Sequence, residues 1–219
     1  MTTILKPLSI SLFLLTIGCK TQQKEPVAEP KKEETMQEIA AQLEKMSDAE
    51  QEIRRILVDS IGFTSPEAAP YKKEMKRIDS INQRYLVKVL DTHGWIHRDS
   101  IGKKAARAMF LIIQHSEPET LGKYFPMFKA MADKGGASKT QACLMEDRLL
   151  MWNGKKQIYG TQASSNVRSD DMGKVVIWPI ENPEEVNELR KAIGFSSTVE
   201  EYAERLGAIY DPNERLPEQ

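Results

Sequence analysis

Cysteine is nearly absent, with two in 219 residues. Two cannot build a disulfide framework, a four-cysteine zinc site or an iron–sulfur site. Neither sign of charge is in excess: 31 Lys and Arg face 32 Asp and Glu, for a formal net charge of -1. A non-specific nucleic-acid footprint needs a surplus of Lys and Arg, so no nucleic-acid partner is expected. No apolar run approaches the ~20 residues of a membrane-spanning helix. The common catalytic strings are missing too: no G-x-x-x-x-G-K-[ST], no G-x-G-x-x-G, no G-x-S-x-G and no H-E-x-x-H. Histidine numbers three. His115-Ser116-Glu117 has the H-x-E half of a zinc deaminase but not its P-C-x-x-C partner. His93 and His97 are separated by Gly94-Trp95, which breaks the helix that would align them on a metal. Neither a metal nor another cofactor is expected. What remains, 29% charged and 40% hydrophobic, suits a globular domain with a polar surface.

The N-terminus reads as an address. Lys6 is the only charge in residues 1–18, an apolar run follows from Leu8, and Gly18 precedes Cys19. A basic start, a short apolar stretch and a small residue at the cut describe a secretory signal peptide. A cysteine at that junction resembles a bacterial lipoprotein signal, with Thr16 where leucine is usual. That resemblance implies that Cys19 becomes the first mature residue and carries acyl chains. The chain is then expected in the cell envelope, lipid-anchored on the extracytoplasmic side of a bacterial membrane. Residues 19–35 are charged, contain Pro26 and Pro30 and lack aromatics. Such a segment cannot bury a core and reads as a tether.

Residues 36–216 read as one α-rich domain. Helical spacing of apolar residues begins at Ile39, Leu43 and Met46, and Ser47-Asp-Ala-Glu50 has the form of a capping box opening a new helix. A helix is expected from about Tyr71 to His93, another from Asp99-Ser100 to His115, and another after a capping box at Ser116–Glu119. Further helices are expected over Lys139–Met145, Pro183–Ile193 and Thr198–Leu206. Between them, Arg148–Tyr159 carries a hairpin signal, because Asn153-Gly154 suits a type I′ turn in which both central residues need positive φ. That register sets Arg148 opposite Tyr159 and Leu150 opposite Gln157. Val175–Ile180 reads as a third strand, limited by Pro179. The expected class is mainly α (α+β), with a small antiparallel hairpin or three-stranded sheet near residues 148–180.

Three polar groups stand out. Gln114-His115-Ser116-Glu117 closes one helix and opens the next. His115 either interacts with the last carbonyls of its helix or serves as a general base oriented by Glu117. Asp147-Arg148 is either a surface pair or an anion-binding fork. Gln157, Tyr159 and Gln162 belong to a polar string that reads as a solvent face or as ligand contacts. Cys143 sits among apolar neighbours and reads as a small buried thiol.

The strings GW (94–95), QHSE (114–117), DR (147–148) and GKKQIYGTQ (154–162), in this order, resemble an uncharacterised bacterial domain-of-unknown-function family. Its members show Gly-Trp, Gln-His-x-Asp/Glu, Asp-Arg and Gly-x-x-Gln-x-Tyr-Gly-Thr-Gln. The resemblance spans roughly Asp79 to Gly194 and implies that these polar residues share one region. It implies no activity. The expectation is a domain that binds a small polar or anionic ligand through Gln114, Asp147, Arg148, Gln157, Tyr159 and Gln162. One alternative is a metal-independent hydrolase or lyase using His115 and Glu117. Another is a structural partner of envelope proteins, without a pocket.

Overall fold

The structure is a computed structural model that describes residues 33–62, 65–168 and 174–217. The expected signal peptide, Cys19 and most of the tether lie outside those residues. Among the described residues no helix is long and apolar enough to cross a membrane.

The chain enters α1 (Met36–Arg55) through a capping box in which Thr35 and Glu38 exchange side-chain bonds to each other's backbone. The helix does not restart at Ser47, as the sequence suggested. Ser47 and Glu50 are both buried within α1, and Glu50 spends its carboxylate on side chains, His115 at the end of α3 among them, instead of a backbone N–H. A wider π-helical turn, Ile56–Ile61, follows. Helices α2 (Ala68–His93), α3 (Arg98–Gln114), α4 (Pro118–Asp133) and α5 (Lys139–Trp152) complete the larger layer. α1 packs on α2 and α3, and α4 on α5. Their apolar stripes meet in one core that includes Leu43, Leu86, Met109, Ile113, Leu121 and Phe128. The box expected at Ser116–Glu119 is absent as well. Glu117 occupies the N-cap without a side-chain bond, Pro118 takes the first turn, and the Ser116 hydroxyl donates back to the Ile113 carbonyl.

The class is mainly α with a small antiparallel sheet, as expected, but the Arg148–Tyr159 hairpin does not form. Residues 148–152 are the last turns of α5, where Met145 and Leu149 continue the stripe that packs on the core. Asn153-Gly154 caps that helix. Gly154 has φ +64°, its N–H donates to Met151 O at 3.0 Å, and the Lys155 N–H donates to Leu150 O at 2.9 Å. A type I′ turn and this helix end both demand a residue at ease with positive φ, so the Asn-Gly pair alone fits either. The sheet lies further on: β1 (Ala163–Ser164) pairs antiparallel with β2 (Val176–Ile177). The two short helices α6 (Val186–Ile193) and α7 (Val199–Leu206) then close a second core of Ile177, Ile180, Val186, Val199 and Ala203.

Candidate functional site

Glu50 stands on the buried stripe of α1 where an apolar residue would be expected, and it is 1% exposed. A carboxylate there is costly unless it is bonded on several sides. Its Oε1 meets Nδ1 of His115 at 2.6 Å and accepts from Nε of Arg54 at 2.7 Å, while Oε2 accepts from Gln51 at 3.0 Å. Burial alone would raise the Glu50 pKa. The hydrogen bond and charge of His115, with help from Gln51 and Arg54, override it and hold the carboxyl down to about 2. The guanidinium of Arg54 also grips both oxygens of Asp79 on α2, at 3.0 and 2.9 Å. Burial pushes the Asp79 carboxyl up, and the Arg54 charge opposes it.

This chain of charges floors a pocket of about 410 Å³ lined by Arg54, Lys76, Asp79, His115, Glu117 and Arg148, among others. His115 and Arg148 therefore do converge, though 33 positions apart in the sequence. Glu117 reaches the rim, but the carboxylate that orients His115 is Glu50. The sequence held a signal for this, a charged residue in register with Ile39, Leu43 and Met46, which the capping-box reading absorbed. Arg148 is the unusual member. Its Nε is buried without a hydrogen-bond partner among the described residues, the Trp152 ring centre lies 5.6 Å from the guanidinium carbon, and burial together with the Arg54 charge brings its pKa down to about 10.

Asp147 points the other way from the same helix, because adjacent helical residues are turned about 100° apart. It is fully buried, yet among the described residues no cation lies within ion-pair range of it. Instead it accepts from the backbone N–H groups of Ile158, Tyr159 and Thr161, and from the Thr161 hydroxyl, at 2.8–3.1 Å. Burial pushes its carboxyl up, and these donors pull against it. Gln157 is the second strut of the same loop. Its amide donates to the carbonyls of Gln162 and Trp178 and accepts from the Gln162 N–H. Gln162 bonds Leu144 O and Thr161. Gly160, at φ +67°, has no room for a Cβ, which would meet Val199 at 2.7 Å and Ile180 at 2.9 Å. The string 157–162 thus folds into a knot tied by Asp147. Its Gln157, Tyr159 and Gln162 do not line the His115 pocket, so the expected convergence of His115 with Gln157 or Tyr159 is not found. Gln114 is buried in α3 with its Oε1 unbonded, and it does not line the pocket either. Cys143 is buried, as expected, and burial pushes its thiol up to about 11. Among the described residues no three His, Cys, Asp or Glu side chains are grouped to hold a metal.

Compared with known proteins, residues 37–213 match the model of a family of unknown function, DUF6624. No curated protein and no solved structure matches.

Proposed function

We propose, for a chain that belongs to the DUF6624 family and inherits no assigned activity from it, that the pocket between α1, α2 and α5 binds a small anionic ligand through Arg148. The observation that carries this reading is the buried, unbonded Nε of Arg148 at the wall of an open pocket. The Arg148 side chain is half-buried with its Nε shut off from water, and a carboxylate or phosphate oxygen would supply a counter-charge and the missing acceptor. Of the other cations that line the pocket, Arg54 is already shared between Glu50 and Asp79. Calorimetric titration with phosphate and with succinate tests it. The tighter of the two should lose about 10- to 100-fold in affinity in Arg148→Ala, the value of a charge-assisted pair. Arg148→Lys should also weaken it, because an ammonium cannot reproduce the planar fork. Equal affinity in all three proteins would refute the proposal.

A second reading rests on the His115–Glu50 contact. Glu50 occupies Nδ1, so the proton chemistry of the ring falls to Nε2, in the arrangement of a general base held by a carboxylate. On this reading the domain is a metal-independent hydrolase or lyase acting on an anionic substrate held by Arg148. It expects hydrolysis of simple aryl esters or phosphates that disappears in His115→Gln while ligand affinity persists. Identical turnover by His115→Gln would dispose of it.

The location belongs to the same proposal: a domain held at the envelope by lipid on Cys19, supported by the apolar run and Gly18-Cys19 junction of the sequence. Stable anchoring takes more than one acyl chain. Metabolic labelling with a radioactive fatty acid should mark the wild type and not Cys19→Ala.

A further inference from the structure

A larger cavity lies between the α3–α5 face and the loop joining α6 to α7, and has a volume of about 630 Å³. That is within the range of sites for metabolite-sized ligands, about 300–1,000 Å³. Three arginines line it, Arg107, Arg190 and Arg205, with no carboxylate among its lining residues. None of the three forms an ion pair among the described residues.

Arg190 is the built part of this wall. It is 1% exposed and is held by neutral acceptors: Nε to Ser197 O at 3.0 Å, one amino group to Tyr159 O at 2.7 Å and the other to the Ser197 hydroxyl at 3.3 Å. Its guanidinium also lies 4.6 Å from the Phe195 ring centre and 5.4 Å from that of Tyr202. The Tyr159 carbonyl that receives it belongs to the knot tied by Asp147, and the Tyr202 hydroxyl donates to Thr161 O at 3.0 Å. The YGTQ string, which leaves the His115 pocket alone, therefore sets the position of this arginine. Arg205 stands beside it, donating to the Ser197 hydroxyl at 2.9 Å. Arg107 faces them from α3. Beside Arg107 on the α3–α5 side, Phe110, Leu111 and Leu144 give the cavity apolar lining.

We infer that this cavity is a second binding site, for an organic phosphate monoester with a flat apolar body. The exposed guanidiniums of Arg107 and Arg205, with Arg190 behind them and the Ser197 hydroxyl beside it, offer more donors than the two oxygens of a carboxylate can accept, and they match the three oxygens of a phosphate monoester. The ester's body lies against Phe110, Leu144 and Phe195. The buried Asp147 acts from one peptide away: it takes the Tyr159 N–H while Arg190 takes the Tyr159 carbonyl. It partly balances Arg190 and leaves the faces of Arg107 and Arg205 unopposed.

Fluorescence titration with naphthyl phosphate tests the inference, with naphthoate and inorganic phosphate as its separated halves. In the Arg148→Ala background, which disables the first pocket, naphthyl phosphate should bind one site per chain, at least tenfold more tightly than either half. The double charge reversal Arg107→Glu and Arg205→Glu alters two exposed side chains and should abolish that binding with an unchanged melting temperature. Arg190→Ala is a poor probe, since it leaves the Tyr159 and Ser197 carbonyls unbonded in the interior. Arg148→Ala should leave naphthyl phosphate affinity as it is, which separates this site from the His115 pocket. Binding that survives the double reversal, naphthoate binding as tightly as naphthyl phosphate, or binding lost in Arg148→Ala would each overturn the assignment.

Discussion

Replacing Glu50 with glutamine keeps the shape and most of the hydrogen bonds of the buried carboxylate and removes only its charge. The folded protein holds that carboxyl at about 2, against an ordinary value of 4.5. A depressed folded-state pKa contributes stability that is fully present above the unfolded value and disappears as pH falls through the folded one. The difference corresponds to about 3 kcal/mol at neutral pH, shrinking to about 1 kcal/mol near pH 3 as the unfolded chain, but not yet the folded one, takes up the proton. Asp79 works in the opposite sense, because burial raises its carboxyl. The quantity to follow is therefore wild type minus Glu50→Gln at each pH, which cancels distant groups but carries a smaller opposing part from Asp79, whose carboxyl the Glu50 charge helps to raise. Urea unfolding at a series of pH values, fitted by linear extrapolation, reads it directly. The gap should close steadily from neutral pH towards pH 3. A Glu50→Gln protein as stable as wild type at neutral pH, or a gap that does not change with pH, would refute the assignment of Glu50 as the charged partner of His115 and Arg54.

Three further outcomes follow from the geometry. Asp147→Asn keeps one acceptor oxygen but turns the other into a donor facing N–H and O–H groups of the 158–161 loop inside the fold, and should cost about 3–5 kcal/mol, measured by the same unfolding curves. Gly154→Ala places a side chain at positive φ at the end of α5 and should cost about 1 kcal/mol by thermal melting, with no change in the far-ultraviolet spectrum. Cys143 should resist a thiol reagent such as iodoacetamide in the native state and react at the rate of a free thiol in urea, because it is buried and its thiol is raised to about 11.

Apolar spacing and glycine stops located the helices because those signals answer to one demand each: a stripe must be covered, and a helix must end. The signals that misled were those that answer to two. Asn153-Gly154 suits a hairpin turn or a helix end, and only the continuing stripe through Met145 and Leu149 decides between them. Glu50 three places after Ser47 suits a capping box or a buried ion network, and its register with Leu43 and Met46 decides. The grouping of His115 with Arg148 was legible from the strings they sit in. The division of labour between Asp147 and its neighbour was not, because it depends on how far α5 extends. Arg190, outside every singled-out string, became visible only when the Tyr159 carbonyl was found pointing at it.

The first helix has a practical consequence for dissecting this domain. The strings by which the chain resembles its family lie between Asp79 and Gly194, and a fragment cut to that span would still contain His115, Arg148 and the whole YGTQ knot. It would not contain Glu50 or Arg54, nor the Ile39 and Leu43 that share the main core. Such a fragment would lose the carboxylate that orients the imidazole, and with it the lower wall of the pocket. Fragments for biochemistry should start ahead of Thr35, so that the capping box and all of α1 are retained.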